Sequence, residues 1–206
     1  MTRPWVPAIP GNRPLTGPGP TIADFVSSWA SPRAEFQGTR LGNRRVARGR
    51  LRCGNDYVTV ELHTDGAGWA RYKGGSVVGY GELIIRADDL ETYIVELLAI
   101  LGGYAAWTGA TGDCAVRVWL YGGIPEGVTG ALVSRVGLRR DRRHGDLRWL
   151  EGQLPGPAET TVPVDELATD RQHVGVAAYP LARDIEQDWG LPEPEALQSD
   201  GTFGYV

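Results

Sequence analysis

Clustered arginines are the residues of this chain whose types and spacing could do chemistry. Lys73 is the only lysine among 21 basic residues. A first cluster comprises Arg40, Arg44, Arg45, Arg48, Arg50 and Arg52. If this segment is a strand, Arg48, Arg50 and Arg52 share one face, because alternate residues of a strand point the same way. A row of guanidinium groups of this kind suits phosphate, another anion or a nucleic acid.

A second basic cluster lies at an expected hairpin tip. It comprises Arg139, Arg140, Arg142, Arg143 and His144. We predict an anion-binding set drawn from both clusters, because arginine offers phosphate a bidentate fork. The predicted set is Arg48, Arg50, Arg52, Arg140 and Arg143. The competing interpretation is a solvated surface neutralised by nearby carboxylates, and the net charge of −4 favours it.

Other groups give weaker indications of chemistry. His63 beside Asp65 could form a small acid/base unit, although a histidine that stabilises a turn is the commoner arrangement. The histidines lack metal ligands at zinc spacing, and the two cysteines, Cys53 and Cys114, are interpreted as buried reduced thiols. The sequence contains no phosphate-binding loop, nucleophile elbow or zinc-protease motif. We therefore predict no catalytic residue, no metal and no cofactor.

The composition indicates in which cellular compartment the protein is expected, but it does not indicate a function. No apolar run approaches the length of a membrane span, and the N-terminus lacks the apolar centre of a secretory signal. These features predict a cytoplasmic protein without a membrane segment. The preference for Arg over Lys, with abundant Ala, Gly and Val, indicates a GC-rich genome and gives no information on function.

One helix and the strand that follows it organise the predicted fold. Apolar residues recur at spacings of three and four: Leu90, Ile94, Leu97, Leu98, Leu101 and Ala105. We expect this helix to continue through Gly102-Gly103 to about residue 108, at a cost of roughly 1 kcal/mol per glycine. Asp88 and Glu91 have the spacing of a capping box. From Cys114 the apolar period changes to two, which predicts a strand.

The remaining patterns complete the fold class. Strands are expected around residues 57–62, 69–73, 77–78, 82–85, 128–138, 147–150 and 160–164. A second long helix is expected after a Thr169 cap, and Pro180 should kink or divide it. The fold class is α+β, with a mainly antiparallel sheet and the two long helices packed on one face.

Three regions are expected along the chain. Residues 1–37 form a Pro-rich arm, extended rather than a regular element, with one short helix at residues 22–29. Residues 38–190 form the α+β domain. Residues 191–206 form a tail that either folds back over the body or stays loose.

Two segments carry a family resemblance. The runs ELLAILGGYAAWTGATGDCAVRVWLYGG and TTVPVDELATDRQHVGVAAYPLARDI resemble the segment downstream of the DNA-binding domain in actinobacterial regulators of the Schlafen/AlbA type. The DNA-binding domain has no counterpart in this chain. The resemblance implies no catalytic residues and favours a regulatory or interaction role.

The first functional prediction is a non-enzymatic regulatory or interaction module that binds a partner through an Arg-rich surface. The partner is an unknown protein or an anionic ligand; nucleic acid is possible but not favoured, and the module could be a homodimer. A domain that binds a nucleotide or a phosphorylated small molecule is the first alternative. The second alternative is a small enzyme that uses His63 and Asp65.

Overall fold

The computed structural model describes residues 2–5, 40–41, 46–53, 56–63, 67–72, 76–77, 82–120, 135–140, 146–151 and 155–204. The predicted short helix at residues 22–29 and most of the predicted arm lie outside these residues. The strands are β1 (Thr2–Trp5), β2 (Arg40–Leu41), β3 (Val46–Cys53), β4 (Asp56–His63), β5 (Gly68–Tyr72), β6 (Ser76–Val77), β7 (Glu82–Arg86), β8 (Asp113–Val118), β9 (Arg135–Arg140), β10 (Asp146–Glu151) and β11 (Ala158–Pro163). The helices are α1 (Ala87–Trp107), α2 (Val164–Thr169) and α3 (Arg171–Gln187).

The described strands form two sheets rather than the single sheet expected. Seven strands are ordered β11-β8-β1-β5-β4-β3-β2, and every pair in this sheet is antiparallel. Four strands are ordered β10-β9-β7-β6, in which β7 and β9 are parallel. Helix α1 lies between β7 and β8, so it connects the smaller sheet to the larger one. The predicted α+β class is confirmed.

Helix α1 runs uninterrupted through Gly102-Gly103, as its apolar stripe predicted. Its buried face lies on the larger sheet, where the ring of Tyr93 stacks on that of Tyr72 from β5 with centroids 3.4 Å apart. Strand β8 then alternates buried and exposed residues, with Cys114, Val116 and Val118 in the core. Burying a large aliphatic side chain stabilises the folded state by about 1.5–3 kcal/mol, and this gain explains why the helix and the sheet pack together.

The predicted capping box at the start of α1 is wrong. The N-cap is Arg86, and no side chain caps it. The Asp88 carboxylate instead accepts from Arg86 Nε at 2.9 Å. Glu91 does not reach back to the first turn; it is completely buried and accepts a backbone N–H of the C-terminal segment. Glu91 therefore accepts N–H groups that are distant in sequence and does not cap its own helix.

The C-terminal helices also differ in detail from the prediction. Thr169 ends the short helix α2, and the cap of α3 is Asp170, whose side chain accepts from the N–H of His173 at 2.9 Å. Pro180 lies inside α3 without dividing it. The apolar stripe of α3 packs on β11 and α1, so both long helices lie on the same face of the seven-stranded sheet.

Both ends of the described chain belong to the body. Residues Thr2–Trp5, expected to be an extended arm without regular structure, form β1, which pairs with β8 along four residues and with β5. The tail folds back, the first of its two expected alternatives. Leu191, Ala196 and Leu197 are buried in it. A bridge between Leu197 and Phe203 closes its turn.

Candidate functional site

Strand register defines two faces of the seven-stranded sheet. The inner face carries the buried residues Val60, Leu62 and Ala70 and meets the helices. The other side is called the outer sheet face here. Directly opposed residues of antiparallel strands share a face. Position 48 is paired with Glu61, and position 50 with Thr59. Since Glu61 and Thr59 alternate with the buried Val60 and Leu62, positions 48 and 50 belong to the outer sheet face.

The same register brings in arginines that the sequence analysis did not select. Thr59 is paired with Arg71 of β5, and Arg3 of β1 is paired with Arg117 of β8. Across the sheet, the described strands place seven arginine positions on the outer sheet face: Arg3, Arg40, Arg48, Arg50, Arg52, Arg71 and Arg117. The acidic positions on this face of the described strands are Glu61, Asp113 and Glu159.

An exposed ion pair lies on the outer sheet face where β8 meets β11. The guanidinium of Arg117 lies 2.5 Å from the carboxylate of Glu159, and both side chains are more than half exposed. An ion pair this open to water contributes about 0–1 kcal/mol, so it competes weakly with an incoming anion. Trp69 and Arg71 are half-buried on the same face.

The structure places the two predicted arginine clusters in different sheets. Arg48, Arg50 and Arg52 lie in β3 of the larger sheet, whereas Arg140 ends β9 in the smaller sheet, opposite Asp146. Arg143 lies outside the described residues. A single anion site built from both clusters therefore stays a prediction, while the first cluster has neighbours of its own on the outer sheet face.

A second polar centre is buried and was missed by the sequence analysis. The carboxylate of Glu91 in α1 accepts the backbone N–H of Glu195 at 2.7 Å and that of Ala196 at 2.9 Å, and it also accepts from Leu197. Glu186 of α3 is completely buried as well. The apolar periodicity around Glu91 did not indicate a buried carboxylate, because the partners of Glu91 are more than a hundred residues away in sequence.

Burial dominates the electrostatics of Glu91. It raises the pKa of Glu91, because a carboxylate loses its hydration inside the protein. The backbone N–H groups of Leu197, Glu195 and Ala196 act in the opposite direction, because they stabilise the ionised carboxylate.

The remaining candidate groups are structural or inert where they are described. Nδ1 of His173 lies 2.9 Å from Asp170 at the exposed start of α3. Burial raises the pKa of the Cys114 thiol to about 11, which leaves it unreactive at neutral pH. Within the described part of the chain, no three His, Cys, Asp or Glu side chains converge as a metal site. His63 ends β4, and Asp65 lies outside the described residues.

In the part of the chain that the structure describes, one helix is long and apolar enough to cross a membrane. Helix α1 has 21 residues and a mean hydropathy of 1.2, but 61% of this apolar stretch is buried inside the protein. Contact with the sheet and with α3 accounts for its apolar face. It is consistent with the core helix of a soluble protein.

Comparison with known proteins adds no family. The chain matches no protein-family model, no curated protein and no solved structure. The resemblance to Schlafen/AlbA-type regulators therefore stays a prediction.

Proposed function

We propose that this chain is a non-enzymatic interaction module that binds an anionic partner through the outer sheet face. The observation that supports the proposal is the strand register, which pairs positions 48 and 50 of β3 with Glu61 and Thr59, residues that alternate with the buried Val60 and Leu62. A regulatory role in the cytoplasm is part of the same proposal and is favoured by the resemblance described above.

Charge distribution supports an anionic partner. The whole chain has a net charge of −4, yet the described strands place seven arginine and three acidic positions on the outer sheet face. A local excess of one sign on a protein of the opposite sign steers a partner toward that face. Arginine is also suited to hold carboxylates and phosphates, because its planar fork makes two parallel hydrogen bonds.

Layering supports binding by a surface. Among the described residues, the buried apolar side chains of this sheet lie on the inner face, where they pack on α1 and α3. Neighbouring strands lie about 4.8 Å apart and alternate residues of a strand about 6.8 Å apart. Arginines on several strands therefore form a grid that suits an extended polyanion better than a single small ligand.

Binding by labelled polyanions tests the proposal. Fluorescence anisotropy should detect binding of at least one of a single-stranded oligonucleotide, a duplex, a polyphosphate and a poly-glutamate peptide. A mononucleotide that competes as well as the polymers would favour the nucleotide-binding alternative instead.

A triple substitution locates the binding face. The variant R48Q/R50Q/R52Q should weaken binding at least tenfold. The control R148Q/R171Q/R183Q removes the same charge from the smaller sheet and from α3 and should change binding less than twofold. Absence of binding to every polyanion, or equal losses in the two triple variants, would refute the proposal. Adding R140Q/R143Q to the first triple measures what the second cluster contributes.

A further inference from the structure

One position from each strand of the seven-stranded sheet lies in a single row across the outer sheet face, called the outer row below. Its members, in strand order from β2 to β11, are Arg40, Arg48, Glu61, Trp69, Arg3, Arg117 and Glu159. The step from Trp69 to Arg3 follows from the pairing of Thr2 with Ala70, because the two strands are antiparallel. Neighbouring strands lie about 4.8 Å apart, so the outer row extends over about 29 Å.

The outer row is basic in spite of its two glutamates. It holds four arginine positions and two glutamate positions. Glu61 is opposite Arg48, and Glu159 forms an ion pair with Arg117, so two arginine positions remain in excess. The next row of the same face, two residues along β3 and β5, adds the arginine positions Arg50 and Arg71. A strip of positive charge of this length suits the phosphate backbone of a nucleic acid.

A tryptophan lies in the middle of the outer row. Trp69 precedes the buried Ala70 in β5, so it lies on the face opposite the apolar core. Trp69 is half-buried, so part of its surface stays in contact with solvent. Trp5 lies two residues beyond Arg3 in β1 and takes the position diagonal to Trp69. Diagonal positions on neighbouring strands are about 7–8 Å apart, within reach of aromatic side chains.

We propose, on the basis of the function proposed above, that the anionic partner is a single-stranded nucleic acid. Its phosphates contact the arginines of the outer row, and its bases stack on Trp69. The negative net charge of the chain did not favour nucleic acid, but the strand register adds an aromatic ring inside a basic strip. Proteins hold single strands without sequence preference by this combination, because every base has a flat face that stacks on an aromatic ring.

Charge alone predicts a different preference. Duplex DNA carries one negative charge per about 1.7 Å of its axis, whereas each strand carries one per about 3.4 Å. A purely electrostatic face therefore binds a duplex at least as tightly as a single strand at the same salt concentration. A face that stacks bases reverses this order, because the bases of a duplex are already stacked on one another. Loss of one stacking ring weakens binding by about 5- to 150-fold.

Fluorescence anisotropy on the full chain with three labelled probes tests the proposal. The probes are an oligothymidine of about 12 nucleotides, an abasic tetrahydrofuran strand of the same length and phosphate number, and the oligothymidine annealed to oligoadenosine. The oligothymidine should bind at least about fivefold more tightly than the abasic strand, and more tightly than the duplex. Equal affinities for the oligothymidine and the abasic strand would overturn the proposal but leave an anion-binding face in place. Absence of binding to all three probes, to polyphosphate and to poly-glutamate would refute the proposed function as well.

Variants of two tryptophans locate the stacking. W69L keeps an apolar side chain without a flat ring, and it should weaken oligothymidine binding at least about fivefold. The same variant should change binding of the abasic strand less than twofold, and W69F, which retains a ring, should recover most of the loss. W149L, at a half-buried position of the smaller sheet, is the matched control and should leave both affinities unchanged.

The result that would contradict stacking on Trp69 is an equal loss for the oligothymidine and the abasic strand in W69L. Equal effects of W69L and W149L would contradict it too. If W69L does not fold, the comparison of the oligothymidine with the abasic strand in the unmodified protein decides alone.

Discussion

Replacing Gly102 by alanine tests how closely α1 approaches α2. A Cβ at position 102 would lie 2.7 Å from the carbonyl oxygen of Leu167, 3.0 Å from its carbonyl carbon and closer still to its Cβ. Carbon atoms in good contact are about 3.5–4.0 Å apart. Leu167 is buried and the opposing atoms belong to a helix, so α2 must move by roughly 1 Å to admit one methyl group.

Two effects of opposite sign decide the outcome of Gly102→Ala. Alanine in a helix interior is favoured over glycine by about 1 kcal/mol. Overpacking of a core costs about 1–3 kcal/mol, and the upper part of that range applies because backbone and Cβ atoms cannot rotate away. The expected result is a net destabilisation of about 2 kcal/mol, which lowers the Tm by about 4–8 °C in a chain of this size.

Equilibrium urea unfolding measures this difference. Gly156→Ala is the matched control, because position 156 is exposed and an added Cβ would have only Asp188 Oδ2 at 4.0 Å. The control should change the free energy of unfolding by less than about 0.5 kcal/mol. A Gly102→Ala variant that is more stable by about 1 kcal/mol would show that α2 does not lie against α1 at this glycine.

Three further outcomes follow from the same contacts. Gly201→Ala should loosen the C-terminal segment (residues 191–204) and speed its proteolysis, because residue 201 has φ +82° and an added Cβ would collide with the carbonyl oxygen of Gln172. Asp170→Ala should lower the urea concentration at the midpoint of unfolding, because the side-chain cap that accepts from the N–H of His173 is lost. Cys114 should resist iodoacetamide at neutral pH in the folded protein and react in urea, as peptide mass spectrometry would show, because burial holds its pKa at about 11.

Local periodicity predicted the elements best where the apolar pattern was long. The stripe of α1 outweighed two glycines, and the close approach of Leu167 at Gly102 gives a reason for one of them. Strand β8 was equally clear, because Cys114, Val116 and Val118 alternate with exposed residues. In both elements one face is buried, so the spacing of the apolar residues in the sequence is sufficient to predict the secondary structure.

Features made by distant contacts could not be predicted in this way. Proline-rich composition indicated an arm at residues 1–37, yet pairing with β8 makes Thr2–Trp5 a strand. Glu91 had the spacing of a capping residue, yet the N–H groups that donate to its carboxylate lie far along the chain, in residues 195–197. Local patterns predict which face a residue takes, but they do not predict which strand or segment will lie beside it.

The candidate site shows the same division. The alternation of Arg48, Arg50 and Arg52 was sufficient to place them on one face of a strand. The addition of Arg71 and Arg117 required the strand order, because these residues are isolated in sequence. Strand order also separated Arg140 into the smaller sheet, which no local pattern indicated.

The salt dependence of polyanion binding tests the central claim most directly. If the outer sheet face holds phosphates through the β3 arginines, log K against log salt should have a steep negative slope. R48Q/R50Q/R52Q should make that slope shallower by about 2–3, since each phosphate contact contributes about 0.7–0.9. The control R148Q/R171Q/R183Q should leave the slope unchanged. An identical slope in the unmodified protein and both variants would contradict the claim that this face is the binding surface.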